Sequence, residues 1–140
     1  MSYAIAYGSA LLVFGTIDAL WLGLMGPVLY MPVLKEVLAP SIRIGPAIAF
    51  YLMYPVGIVA FGAVPALRAE SVVVGMASAL LFGALAYGTY DLTNYATLKV
   101  WSLPITLMDV AYGAAASAIA TAAAFYAVRM SASWFGTTLP

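Results

Sequence analysis

The chain has 140 residues, of which 66% are hydrophobic and only ten, five basic and five acidic, are charged, giving a net charge of zero. A mean hydropathy of +1.07 and a charged fraction of 7%, against the roughly 25% usual in soluble domains, define an integral membrane protein. The absence of Cys and His excludes disulfides, thiolate chemistry and the common haem, zinc and triad sites, and scattered Lys and Arg give no basic patch for nucleic acid.

A hydrocarbon core about 30 Å thick needs about 20 apolar residues per helix. The length therefore fits an all-α fold: one domain, residues 1–140, of four antiparallel transmembrane helices with short loops. The first helix is expected over about residues 3–29, loosened at its end by Gly26 and Pro27. It has no basic n-region, carries Asp18 and is too long for a signal h-region, so it reads as a retained span. The stretch MPVLKEVLAPSIRIGP forms an interfacial loop holding Lys35, Glu36 and Arg43. A second helix over about 47–67 contains Pro55, which removes a backbone hydrogen bond and kinks it. The short turn RAES at 68–71 makes the second and third helices antiparallel neighbours, the third running over about 72–95. After ATLKVWSLP, with Ser102 as N-cap and Pro104 in the first turn, the fourth spans about 103–130. Gly75, Ala79 and Gly83 on the third helix, and Gly113, Ser117 and Thr121 on the fourth, recur every fourth residue and predict close helix contacts. Lys35, Arg43 and Lys99 lie on one side, Arg68 and Arg129 on the other, which favours both termini outside the cytoplasm.

Three aspartates, Asp18, Asp91 and Asp109, fall in or near spans and in the same half of the membrane. An aspartate at a helix centre costs roughly 2.5–3.5 kcal/mol, against roughly 0.3–0.6 returned by each large apolar residue. Asp18, about 16 Å from the end of its helix at 1.5 Å per residue, is the deep one. Tyr87, Tyr90, Asp91 and Asn94, in the stretch YGTYDLTN, stand at i, i+3, i+4 and i+7 and form a polar stripe. The same spacing joins Asp18 to Trp21, Tyr51 to Tyr54 and Asp109 to Tyr112. These ten residues are the candidate site, a set of carboxyls of unequal basicity that share protons or hold a cation with tyrosine and asparagine partners. For Asp91 an ion pair with Lys99 is an equal alternative. Asp109 could also serve as a helix-dipole partner. Trp101, Tyr30 and Tyr126 read as membrane-interface belt residues.

The segments IDALWLG at 17–23, YGTYDLTN at 87–94, and Trp101 with TLMDVAYG at 106–113 together resemble a bacterial family of predicted membrane proteins, domain of unknown function 2177. The resemblance covers nearly the whole chain. It implies four helices in the bacterial inner membrane, no established activity, and signature positions at Asp18, Trp21, Tyr90, Asp91, Asn94 and Asp109.

Three functions fit these residues. One is a one-sided pocket that binds, and in one version modifies, a lipid or small amphipathic molecule, with membrane lipids as partners. Asp18 would then hold a proton, with Asp91 and Asp109 as base or cation pair oriented by Tyr90 and Asn94. Another is a proton-coupled carrier working as a homodimer, similar in size and deep acid to the small multidrug resistance family; the far half of the bundle, with no titratable group in mid-span, counts against it. The third is an accessory subunit whose polar residues only fix helix register. No cofactor is implied, although three carboxylates have the oxygen chemistry that Mg²⁺ or Ca²⁺ takes.

Overall fold

The computed structural model describes residues 2–135. It is all-helical, with four helices long and apolar enough to cross a membrane: α1, Ser2–Leu34; α2, Ile44–Arg68; α3, Val72–Thr97; and α4, Leu103–Phe135. α4 is the hub. Its largest interfaces are with α3 and α1, and the second half of α2 fills the remaining corner. Over half of its apolar window is buried, against 28% or less in the other three helices, so its alanine-rich sequence is an interior one. Leu12, Leu22, Leu24, Leu81, Leu85 and Leu107 cover the outside, where lipid replaces water as the solvent for apolar side chains.

Three spans run well past their expected bounds, two of them through π-helical turns. α1 does not stop at Gly26 and Pro27 but passes through a π-helical turn, Gly26–Tyr30, into a last turn, Met31–Leu34. α2 starts at Ile44, keeps Pro55 inside its first segment and widens into a π turn at Val59–Ala63 before Val64–Arg68. The physical cause is shared. A proline ring crowds the carbonyl four residues back, and Pro32 and Pro65 each follow directly on a residue, Met31 or Val64, whose N–H reaches five residues back, to Gly26 or Val59. The wider turn admits the ring without ending the helix. α4 likewise continues to Phe135, beyond the expected end near 130, and Ser102 accepts from Ile105 N–H at its start (3.5 Å).

α2 and α3 are joined by a Schellman-type stop. Glu70 takes the left-handed conformation (φ 49°), its N–H reaches Leu67 O (3.3 Å) and Ser71 N–H reaches Ala66 O (3.0 Å). Ser71 then caps α3 by accepting from Val74 N–H (3.4 Å).

The rows of small residues are helix contacts. Gly83 packs on the Gly113 carbonyl and Ser117 Oγ, and Gly62 packs on Thr121 and Ala79. Towards the opposite face of the membrane, the one carrying residues 35–43 and 98–102 (the loop side), α2 leaves α3. Phe82 lies over Gly57 and stacks on Phe61 at 5.2 Å, acting as the wedge beyond which the helices part.

Gly83→Ala places a methyl against the Gly113 backbone, which cannot yield, and is expected to destabilise the bundle by about 1–3 kcal/mol. Gly15→Ala, with nothing within 4 Å of the new methyl, should be neutral or stabilising by up to about 1 kcal/mol. Unfolding of both variants in mixed detergent micelles, monitored by circular dichroism, checks the pair.

Candidate functional site

The site builds up from Asp18, on the inner face of α1 with Ala6, Ala10 and Phe14. Its side chain is 5% exposed and far from any helix end, so its oxygens need protein donors. Two tyrosines from two other helices supply them: the Tyr51 hydroxyl of α2 donates to Oδ2 (2.5 Å) and the Tyr112 hydroxyl of α4 to Oδ1 (2.8 Å). One turn along α1, Trp21 lies flat on the Tyr112 ring (4.3 Å between centroids, 13° between planes) and donates its indole N–H to the Tyr30 hydroxyl (2.8 Å). Tyr30 donates in turn to Asp109 Oδ1. Asp18 and Asp109 are thus connected through the stacked Tyr112 and Trp21 and through Tyr30. Asp109, 6% exposed, is one turn before Tyr112 on α4, so a single face of that helix serves both ends of the chain of contacts.

A second layer is aromatic. Tyr54, one turn after Tyr51, stacks on Phe14 (4.6 Å) and bonds Ser117 Oγ (2.9 Å). Ser117 itself donates to the Gly113 carbonyl (2.7 Å), so Tyr54 is the donor in that pair. Tyr87 meets Tyr54 and Tyr112 edge-on, both at 5.9 Å, over Gly113. Between α2 and α3, where Phe82 holds them apart, a cleft of about 430 Å³ is lined by Phe50, Tyr54, Ala86, Tyr87 and Tyr90.

Asp91 differs from the other two acids. It is 0% exposed, within electrostatic reach of Asp109, and neither carboxyl oxygen has a hydrogen-bond partner. The expected stripe on α3 is therefore split. Neighbouring helical positions differ by about 100°. With Asp91 turned fully inward, Tyr90 falls on the flank, 59% exposed and edge-on to Trp101 at 5.5 Å, while Asn94 is half-buried nearer the loop. The alternative pairing with Lys99 is not made. Among the described residues no group of three acids could hold a metal ion together.

Two belt assignments are corrected. Tyr30 is a working member of the network, because the π turn keeps α1 helical and swings its hydroxyl onto Asp109. Trp101 is 8% exposed and donates to Thr106 Oγ1 (3.2 Å), closing the loop side with Leu34 and Ile105. Only the spacing of Tyr30 from Trp21 across a Gly-Pro step hinted at the first. Nothing local marked the second.

The fold and site define a small four-helix membrane protein with a buried network of aspartates, tyrosines and one tryptophan in one half of the bundle. The chain belongs to the family of predicted membrane proteins, domain of unknown function 2177, whose model matches residues 3–126. No curated protein and no solved structure is significantly similar to it.

Removing one donor from a buried carboxylate costs about 1.5–3 kcal/mol. Tyr51→Phe and Tyr30→Phe are each expected to lower stability by that amount, and Tyr90→Phe by no more than about 0.5 kcal/mol. Reversible unfolding in detergent measures all three. Equal losses at Tyr30 and Tyr90 would contradict the split between an inward network and an outward Tyr90.

Proposed function

We propose that this membrane protein, residing in a bacterial inner membrane, binds a lipid or small amphipathic molecule whose polar head meets the Asp18 and Asp109 network and whose tail lies between α2 and α3. The observation that carries the reading is the aromatic cleft of Phe50, Tyr54, Ala86, Tyr87 and Tyr90 beside hydrogen-bonded acids held by three helices. A network that only fixed helix register would have no need of a side opening. A binding site for an amphiphile needs both an apolar slot and a few convergent polar groups. Tyr87 connects the two, lining the cleft while touching Tyr112, which bonds Asp18. The far half brings helix backbones into contact through Gly62, Gly75 and Gly83 and serves as the rigid support. Membrane lipids are the available partners, and the exposed leucines of α1 and α3 leave room for a second copy to assemble alongside.

The test is lipid mass spectrometry of material that copurifies with the wild-type protein and with Asp18→Asn, alongside whole-membrane extracts. One amphiphile class should be enriched over the bulk membrane in the wild type, and that enrichment should fall about tenfold or more in Asp18→Asn, the loss expected when a charged hydrogen-bond partner is removed. Indistinguishable extracts from two folded proteins would reject the pocket.

A further inference from the structure

If the pocket takes an amphiphile, as proposed above, the balance of donors and acceptors in the loop-side half decides the charge of its head. Tyr51 and Tyr112 are committed to Asp18, Tyr30 to Asp109, the Trp21 N–H to Tyr30, and Tyr54 to Ser117. Lys35, Arg43 and Lys99, the basic residues on that side, all stand outside the spans. Tyr87 and Tyr90, which line the cleft, still have hydroxyls to donate, but among the described residues no group inside the spans of this half carries positive charge, so an anionic head would meet carboxyls without a compensating charge. A head bearing positive charge finds what it needs.

Asp91 is the acceptor left over. Both its oxygens are buried and unpartnered, and its side chain is fully enclosed. An unpaired carboxylate in such a place is among the most expensive groups a membrane protein can carry, and a proton is the smallest charge that can neutralise it there. The titratable groups that face it are Asp109 from α4 and Tyr30 from the end of α1, with Tyr90 beside it on its own helix; none of these carries positive charge. Asp91 lies six residues before Thr97, roughly 9 Å along the axis at 1.5 Å per residue, so the interface is close enough for a proton to leave.

We propose that Asp91 is a proton-binding site, holding its carboxyl proton while the pocket is empty and releasing it when an amphiphile with a protonated amine head settles against Asp109. In that exchange the Asp91 O–H bond breaks, the proton passes to water on the loop side, and the new carboxylate is balanced by the ammonium charge. Net charge in the pocket is unchanged, which is why exchange suits a low-dielectric site better than simple addition.

The experiment is infrared difference spectroscopy of protein in detergent, with and without ¹³C-aspartate, titrated at neutral pH with decylammonium and, separately, decyl phosphate. The ligand-free wild type should show a carboxylic acid carbonyl band at the high frequency of a carbonyl without a hydrogen-bond donor. That band should shift with the isotope, persist in Asp18→Asn and Asp109→Asn, and vanish in Asp91→Asn. Should Asp91→Asn fail to fold, persistence in the other two variants assigns the band by elimination. Decylammonium should erase it and release about one proton per molecule bound into weakly buffered solution; decyl phosphate should do neither. Absence of the band from ligand-free wild type overturns the proton site. Its survival at saturating decylammonium overturns the exchange, and tighter binding of decyl phosphate overturns the cationic head. None of these three results would touch the pocket itself, which stands or falls on the comparison of Asp18→Asn lipid extracts.

Discussion

A carboxyl group inside a bilayer has no water to satisfy it, and the whole loop-side half of this bundle is arranged around that shortage. Asp18 cannot be served by its own helix, whose N–H groups are committed to backbone carbonyls, so donors must come from neighbours. Tyr51 and Tyr112 provide them from α2 and α4, and three helices are thereby held at one level. Their hydroxyls lie far out on long rigid rings. This is why large aromatics occupy this half, and why the helices stand further apart here than where Gly62 and Gly83 allow backbone contact.

The division into a tight half and an open half follows from side-chain size. Small residues draw α2, α3 and α4 together near the 69–71 turn; Phe82 then pries α2 from α3, and the aromatic cleft occupies the gap. Two wide helical turns complete the arrangement. The one in α2 lets that helix pass Pro65 and still pack on Thr121, and the one in α1 delivers Tyr30 to Asp109. Without the second, Asp109 would lose its tyrosine donor and Trp21 its acceptor, so a local feature forced by proline chemistry becomes part of the polar site.

Inequality among the three acids is the chemically informative result. Asp18 has two donors, Asp109 has Tyr30, and Asp91 has none. A cluster that served only to fix helix register would be expected to satisfy every member, since an orphaned buried carboxyl costs more than the specificity it confers. The proton-binding role proposed for Asp91 rests on this inequality.

Much of this was legible in the chain itself. Hydropathy and length determined four antiparallel spans, because 20 apolar residues have no other stable use and a short loop forces reversal. Helical phase placed Asp18 with Trp21 and Asp109 with Tyr112, and the small residues at every fourth position marked α3 and α4 as closely packed helices without saying against which partner. These are properties of one helix at a time, and one helix is what a local sequence encodes. Tertiary structure alone decided which tyrosine bonds which aspartate, that Tyr30 belongs to the site, that Trp101 is buried, and that Tyr90 turns away while Asp91 goes in without a donor. Each of those outcomes depends on how far apart two helices stand and how they are rotated about their axes. Both are fixed by contacts between residues as much as 79 or 94 positions apart, a relation that no window along the chain contains.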